Sequence, residues 1–141
     1  MESVRLEITR SSDIATRALL ALAGAGRVKG PDLAAEVGTT AGFLSQVLGP
    51  LVAAGWVRSE TGRLGGYELE VSLDALSVLD VIDAIEGPTD HGRCVLVDRA
   101  CASTDPCALH APWRRSRALL VQQLADCPLS EVAAQRGAVM R

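Results

Sequence analysis

The sequence predicts a mainly α-helical fold that carries one small β-hairpin, and three observations support this prediction. Apolar residues make up 48% of the 141 residues but aromatic residues only 3%, so the core must be aliphatic, which favours helices. Apolar side chains recur every three or four residues along most of the chain, as they do on one face of a helix. Residues 56–71 differ, because two β-prone segments flank a glycine-rich tip there.

Two helices are predicted near the beginning of the chain. Residues 11–26 begin with residue types that cap helices, repeat apolar residues at helical spacing and end at glycines. Residues 29–38 predict a shorter second helix, because Pro31 suits a first turn and Gly38 suits the position just after a last turn.

A third helix and the hairpin follow. Thr39 or Thr40 is expected to cap this helix, and Pro50 is expected to kink it or to shorten its hydrogen-bond ladder. The hairpin is predicted to pair residues 56–59 with residues 67–71 around the glycine-rich tip. The apolar stripe of the third helix consists of Phe43, Leu44, Val47, Leu48 and Leu51.

The C-terminal half predicts three more helices. Residues 76–88 carry apolar residues at helical spacing and end at a Gly-Pro pair. Asp105 and Pro106 have the character of an N-cap and a first helical residue, and the long helix that they start is predicted to continue to about residue 126. Ser130 is expected to cap a last short helix. One face of the long helix is predicted to hold Leu109, Trp113, Leu120 and Leu124.

Two short helices, a third helix and a glycine-tipped hairpin, in this order, describe a winged helix-turn-helix. In that architecture the second helix braces the third, whose exposed N-terminal residues enter the major groove of DNA. The hairpin, called the wing, reaches an adjacent groove or a phosphate with its tip. The order of the elements therefore predicts a DNA-binding domain, and a small helical domain without a ligand is the alternative.

The net charge of −3 restricts how such a domain binds DNA. Residues 1–88 hold 7 basic and 12 acidic side chains, whereas residues 89–141 hold 7 and 5. Contact with nucleic acid must therefore depend on a local patch of cations and not on the field of the whole chain.

The expected location is the cytoplasm. The first ten residues mix charges throughout and lack the basic-then-apolar order of a signal peptide. The longest apolar stretch, at residues 18–25, is too short to span a bilayer, so no membrane partner is expected. Thiols stay reduced in the cytoplasm, so clustered cysteines there indicate a metal or redox role rather than structural disulfides.

Three of the four cysteines lie in one short segment. Cys94, Cys101 and Cys107 are separated by six and five residues, and His110 follows after two more. Thiolates are the ligands of iron–sulfur clusters, whereas structural zinc sites more often show a two-residue gap between paired cysteines. The segment is also polar, which argues against cysteines that serve as core packing. The pattern predicts a metal cofactor, with Cys127 outside it as a packing residue.

Four segments of the chain resemble, in order, those of one family of bacterial winged-helix regulators, the family that includes IscR and NsrR. They are "ITRSSDIATRALLALA", "DLAAEVGTTAGFLSQVLGPLVAAGWVRSETGRLGGYEL", "LSVLDVIDAIEG" and the three-cysteine segment. The resemblance implies a homodimeric transcription factor that binds double-stranded operator DNA and holds an iron–sulfur cluster at the edge of the dimer. It divides the chain into a DNA-binding domain at 1–88, a cluster-binding loop at 89–108, and dimerisation and C-terminal helices at 105–141.

Two residues are candidates for the fourth cluster ligand. His110 is three residues after Cys107, so a helix would direct both side chains from the same face. His110 resembles the histidine that completes a 2Fe–2S cluster in the IscR-like branch. Asp13 resembles the acidic residue that the NsrR-like branch donates across the dimer to a 4Fe–4S cluster, and its alternative role is an ordinary helix N-cap. His110 and a 2Fe–2S cluster are favoured, and a 4Fe–4S cluster is the alternative.

The resemblance also implies which residues meet DNA. Gln can bond adenine through two hydrogen bonds, and Ser or Thr can contact a base or a phosphate. At Ser45 the IscR-like branch has a glutamate that would read cytosine, so a different operator sequence is expected here. Arg58 and Arg63 flank the wing, with Arg63 at the tip, where an arginine can reach phosphate or the minor groove. The implied groove-facing residues of the third helix are Thr40, Gly42, Ser45 and Gln46.

The function that follows is a DNA-binding transcriptional regulator of the repressor type, whose operator affinity is gated by an iron–sulfur cluster. Redox state, nitric oxide and iron–sulfur status are all open as the signal. A zinc-stapled DNA-binding module is one alternative, and an iron–sulfur or cysteine enzyme is another. An enzyme is disfavoured, because the sequence pairs no general base with a thiol and has no glycine-rich phosphate loop.

Overall fold

The computed structural model describes residues 8–87 and 107–139, and within them the fold is mainly helical with one antiparallel hairpin, as the sequence predicts. A short 3-10 helix at Leu73–Ala75 precedes the fourth helix. The elements are α1 (Arg10–Leu22), α2 (Gly30–Val37), α3 (Ala41–Ala53), β1 (Val57–Glu60), β2 (Gly66–Leu69), α4 (Val78–Glu86), α5 (His110–Ala125) and α6 (Leu129–Val139).

The core lies where α1 packs against α2, α3 and α4. Its buried apolar residues are all Leu, Val, Ile or Ala, which confirms the predicted aliphatic core. Phe43, Trp56 and Tyr67 are partly buried and pack against its edge. The four buried residues of α3 are Leu44, Val47, Leu48 and Leu51. These belong to the predicted apolar stripe, so the opposite face of α3 is left for solvent or a partner.

Local capping signals define the helix-turn-helix formed by α2 and α3. Gly38 ends α2 with φ +77°, a left-handed conformation that favours glycine, and its N–H donates to the Ala34 and Ala35 carbonyls. Thr40 caps α3, because its side-chain oxygen accepts the backbone N–H of Phe43 at 3.2 Å. The predicted end of α2 and one of the two predicted caps of α3 are thus confirmed.

The wing is anchored to the segment between α1 and α2. Arg58 lies opposite Glu68 in the register of the β1–β2 ladder. Val28 extends this small sheet, because its N–H donates to the Tyr67 carbonyl at 2.9 Å and its own carbonyl accepts the Tyr67 N–H at 2.7 Å. Gly66 has φ +139°, and a Cβ atom there would lie 2.6 Å from the Val28 oxygen. Glycine is therefore required where the wing meets the helical domain.

Two predicted helix caps are wrong. The N-cap of α1 is Thr9, so Asp13 lies inside the first turn and is not the cap. The helix α6 begins at Leu129, which places Ser130 inside the helix. Leu129 is fully buried, and its N–H donates to the Leu76 carbonyl at 2.9 Å, so packing against the segment before α4 decides where α6 starts.

The long helix α5 begins at His110 and not at Pro106, since residues 107–109 are not helical. Pro112 supplies a physical reason. In the observed helix it is the third residue, where a missing N–H costs no intrahelical bond. A start at Pro106 would place Pro112 in the helix interior, where its ring would clash with a preceding carbonyl. Asp105 and Pro106 themselves lie outside the described residues.

The helix α5 exposes large apolar side chains among its polar ones. The helix packs against α4, but none of its residues is buried in this single chain. Two members of the predicted apolar face, Trp113 and Leu124, are half-buried. The exposed leucines are Leu109 at the N-cap (41%), Leu119 (63%) and Leu120 (50%). The predicted division of the chain at 1–88, 89–108 and 105–141 stays a prediction.

Candidate functional site

The exposed face of α3 holds the residues predicted to meet DNA. Thr40, Gly42, Ser45 and Gln46 are all exposed at the N-terminal half of this helix. The N-terminal end of a helix also presents unpaired backbone N–H groups and a partial positive charge, both of which favour a phosphate. The packing of the helix-turn-helix thus leaves these four residues of α3 accessible to a partner.

A cation that the sequence did not single out lies beside this face. The guanidinium carbon of Arg10 is 5.8 Å from the centroid of the Phe43 ring, and Phe43 belongs to the first turn of α3. Such stacking of an arginine on an aromatic face is a cation–π contact. Arg10 was missed because only the packing of α1 on α3 brings the two residues together.

The two predicted wing arginines differ in their partners. Arg58 Nη2 donates to Glu68 Oε2 at 2.8 Å, and its Nε lies 3.0 Å from Glu70 Oε1 and 3.6 Å from Glu60 Oε1. The hydrogen bond from Arg58 is the main reason that the pKa of Glu68 lies below its ordinary value, and the same bond raises the pKa of Arg58. Three carboxylates therefore balance the charge of Arg58.

Arg63 is exposed at the wing tip, between Gly62 and Leu64. Within residues 8–87 and 107–139 it makes no salt bridge, so its charge is available to a partner. Arg27, a cation beside the wing in the segment between α1 and α2, was not predicted as part of the site. Its Nη1 donates to the carbonyl oxygen of Leu64 at 2.7 Å, across 37 residues of sequence.

The structure describes part of the predicted cluster site. Cys94 and Cys101 lie outside the described residues. Cys107 is half-buried just before α5, and its carbonyl accepts the backbone N–H of His110 at 3.0 Å. The expectation that one helix carries both side chains is wrong, because Cys107 precedes the helix, but a turn joins the two residues. Within the described segments no three His, Cys, Asp or Glu side chains lie close enough to hold a metal ion.

Asp13, the other candidate ligand, is engaged in salt bridges. Its carboxylate lies 3.1 Å from Arg17 Nε on the same helix and 3.8 Å from Arg136 Nη2 of α6. Cys127 lies between α5 and α6, partly buried against the core, and its carbonyl accepts the Val78 N–H at 2.9 Å. This environment agrees with the packing role predicted for Cys127.

Comparison with protein families identifies the chain. The model of a family described as "Rrf2: Iron-dependent Transcriptional regulator" matches residues 8–135. The chain belongs to the Rrf2 family of transcriptional regulators. This result confirms the family resemblance seen in the sequence, with IscR among the relatives.

Individual Rrf2-type relatives agree in function and fold. The HTH-type transcriptional regulator Rv1287 of Mycobacterium tuberculosis is 34% identical over 131 residues, which are 91% of this chain and 81% of the relative. IscR of Escherichia coli is 30% identical over 130 residues, 90% of this chain and 80% of the relative. The structure of CymR, the global cysteine regulator of B. subtilis, superposes with a TM-score of 0.76 at 26% identity, covering 93% of this chain and 98% of that chain.

These relatives are transcriptional regulators and not enzymes, as expected for this chain. The winged-helix fold and a role in transcription regulation through DNA are thus established at the level of the family. Among the helices that the structure describes, none combines the length and apolar character needed to cross a membrane.

Proposed function

We propose that this Rrf2-family regulator binds operator DNA as a homodimer and that an iron–sulfur cluster gates its operator affinity. The observation that carries the DNA half is the exposed face of α3, formed by Thr40, Gly42, Ser45 and Gln46. Side chains at the N-terminal end of a recognition helix read base edges in the major groove. The wing tip with Arg63 would reach an adjacent minor groove or phosphate, which sets the register but carries less sequence information.

Two substitutions test the DNA-binding part of the proposal. The DNA is a duplex that the wild-type protein selects in vitro from a random library. Arg63→Ala is expected to weaken binding to selected and random duplexes together, by roughly 1–3 kcal/mol if the side chain enters the minor groove. Gln46→Ala is expected to reduce the preference for the selected duplex and to leave random-duplex affinity nearly unchanged, because base contacts carry sequence information.

Gln135→Ala, an exposed glutamine of α6, is the matched control for Gln46 and should change neither affinity. A gel-shift titration at two salt concentrations measures all three variants. Unchanged binding in both test variants would contradict the assignment of α3 and the wing as the DNA interface.

The cluster half rests on the donor set and on the family. The family is described as iron-dependent, and three thiols with one imidazole are ligands that an iron–sulfur cluster accepts. Cys94, Cys101 and Cys107 would hold the cluster, with His110 as the fourth ligand. The turn that joins Cys107 to His110 supports this choice, and the salt bridges of Asp13 to Arg17 and Arg136 oppose the alternative. When bound, a cluster supplies a centre that responds to redox change or chemical attack.

Iron and sulfide analysis of anaerobically purified protein tests the ligands. Replacing Cys94, Cys101 or Cys107 with Ala is expected to abolish cluster retention, and Cys127→Ala is the control that should retain it. His110→Ala should alter the visible spectrum more than Asp13→Ala does. Iron that survives all three loop substitutions would contradict the proposal, and zinc without iron would support the zinc-stapled alternative.

Gating would act through packed helices. The proposed ligands precede or begin α5, α5 packs against α4, and α4 packs against α3. A shift of α5 would therefore change how far apart two recognition helices lie in a dimer. Operator affinity depends on that separation, since half-sites are about 34 Å apart.

The likeness to CymR favours one second candidate, a regulator that responds to cysteine. In this case the thiols would act without iron. Operator binding by metal-free protein, measured with and without added L-cysteine, separates the two. A change in affinity with L-cysteine in the absence of iron would favour the second candidate.

A further inference from the structure

One side chain outside the predicted interface joins the wing to the helical domain. Arg27 lies between α1 and α2, and its Nη1 donates to the Leu64 carbonyl oxygen at 2.7 Å. The same guanidinium contacts Glu60 Oε2 at 3.2 Å and Glu68 Oε2 at 3.6 Å. Arg27 therefore contacts both strands of the hairpin and the tip between them.

The backbone next to Arg27 adds a second anchor at the same place. Val28 exchanges two hydrogen bonds with Tyr67 of β2. A Cβ atom at Gly66 would lie 3.1 Å from Cγ of Arg27, so the stem of the arginine packs directly on the wing backbone. The base and the tip of the wing are thus held from one short segment of chain.

The anchored tip presents two side chains to solvent. The Leu64 side chain is 83% exposed, and its neighbour Arg63 makes no salt bridge within the described parts of the chain. An apolar side chain beside an arginine is a combination that proteins use in the minor groove, against base steps and a narrow, negative groove. A tip that is already held loses less conformational freedom on binding than a flexible one.

We propose that Arg27 is a positioning residue for DNA binding, which holds the wing tip so that Arg63 and Leu64 meet the minor groove together. The inference rests on the proposed function, because it requires the wing to contact DNA. Arg27 does not itself contact phosphate in this role, since the Leu64 carbonyl and two carboxylates occupy its guanidinium.

Arg27→Lys tests the geometry while keeping the charge, because an ammonium lacks the planar fork that holds several acceptors at once. It is expected to weaken binding to the selected duplex about five- to tenfold, as for the loss of one charge-assisted hydrogen bond. Arg17→Lys makes the same change on α1 and should leave affinity unchanged. Wild-type affinity of Arg27→Lys would overturn the proposal.

The salt dependence of Arg27→Ala separates positioning from direct contact. In a chain that already carries Arg63→Ala, a positioning residue leaves the slope of log affinity against log salt unchanged. Loss of a phosphate contact lowers its magnitude by about 0.9, and that result would overturn the proposal.

A double-mutant cycle locates the effect at the tip. In a chain that already carries Arg63→Ala and Leu64→Ala, Arg27→Lys should cost less than about twofold, because coupled residues are not additive. A full additional loss there would overturn the proposal. If the tip variant itself binds DNA like wild type, the wing–DNA contact of the proposed function fails, and this inference fails with it.

Hydrogen exchange without DNA gives a readout that does not depend on binding. The tip peptide that contains Gly65, whose N–H donates to the Gly62 carbonyl at 3.0 Å, should exchange faster in Arg27→Lys. Peptides from α1 and α3 should not change. Unaltered exchange at the tip would overturn the positioning role even if DNA affinity fell.

Discussion

At the scale of single residues, Arg58 and Arg63 belong to the same hairpin but have opposite electrostatic environments. The strand register puts Glu68 directly across from Arg58, and Glu60 and Glu70 contact it as well. Arg63 lies beyond the paired strands, where the described residues supply no such carboxylate. The wing thus has one cation that its own carboxylates neutralise and one that is available to DNA.

Glu68→Gln is expected to strengthen binding to a random duplex, because it removes the carboxylate that accepts a hydrogen bond from Arg58. Arg27, by contrast, keeps its shorter contacts with the Leu64 carbonyl and Glu60. The salt dependence should become steeper by up to about 0.9, the value for one added phosphate contact. Fluorescence anisotropy over a series of salt concentrations measures both quantities.

Lowering the pH is a poor substitute for Glu68→Gln as a way to remove the charge of this carboxylate. The hydrogen bond from Arg58 holds the pKa of Glu68 below its ordinary value, so this carboxylate stays ionised at neutral pH and loses its charge at a lower pH than a free glutamate does. Glu131→Gln on α6 makes the same change of charge away from the wing and is the control. Equal effects of the two variants would indicate that net charge alone acts.

Residue roles were predictable where the signal is local. Gly38 and Thr40 act on backbone groups within a few residues, so their types and positions suffice to place a helix end and a cap. Arg27 and Leu64 are 37 residues apart, and only the folded chain brings them together. Asp13 shows the same limit, because its contact with Arg136 depends on how α6 packs.

At the scale of elements, α5 differs from the other described helices in its length and its burial. It is the longest described helix, and none of its residues is buried within one chain. Exposed leucines on a single long helix are typical of a surface that a partner covers. A second copy of α5 is the partner that the proposed homodimer supplies.

Leu119→Asp is expected to shift the protein from dimer to monomer, because a charge in an apolar interface is costly to desolvate. Size-exclusion chromatography with light scattering measures the mass, and circular dichroism should show unchanged helix content, since Leu119 is 63% exposed in one chain. Leu64→Asp is the control, an equally apolar and even more exposed residue outside α5. A Leu119→Asp dimer would contradict the assignment of α5 to the interface.

Elements with caps near their own ends were predicted best. The helices α2 and α3 and the hairpin agree with the sequence to within a residue or two, because glycines and a threonine bound them. The start of α5 depends instead on the position of Pro112, and that of α6 depends on burial of Leu129. The residue type at Ser130 indicated a cap that the packing does not use, because α6 begins one residue earlier.

At the scale of the whole molecule, a hydrogen bond ties the end of α4 to α1. Ser12 is the one buried polar residue within the described chain, and its hydroxyl donates to Glu86 Oε2 at 3.1 Å. Glu86 is the last residue of α4, so the chain passes directly from this contact toward the cysteine segment. Along the chain, the bond therefore lies at the end of the DNA-binding helices, just before the segment that holds the proposed cluster ligands.

Ser12→Ala is expected to reduce the free energy of unfolding by about 1 kcal/mol, the value of one hydrogen bond, measured by urea denaturation. It should also reduce the ratio of DNA affinities between cluster-loaded and cluster-free protein, because gating requires the two parts to be coupled. Ser11→Ala, the neighbouring serine, is the control. An unchanged affinity ratio in Ser12→Ala would place the coupling elsewhere, for example in the contact of α5 with α4.

Aromatic residues are scarce in this chain, so tryptophan fluorescence can report separately on the wing and on α5. It has two tryptophans: Trp56 at the base of the wing and Trp113 on α5. The Trp56 backbone is fixed by bonds to Leu51 and Glu70, and its ring packs at the edge of the core. With Trp56 replaced by Phe, all tryptophan emission comes from α5, and with Trp113 replaced by Phe it comes from beside the wing. Movement of α5 and binding of DNA can then be timed separately, without an attached dye.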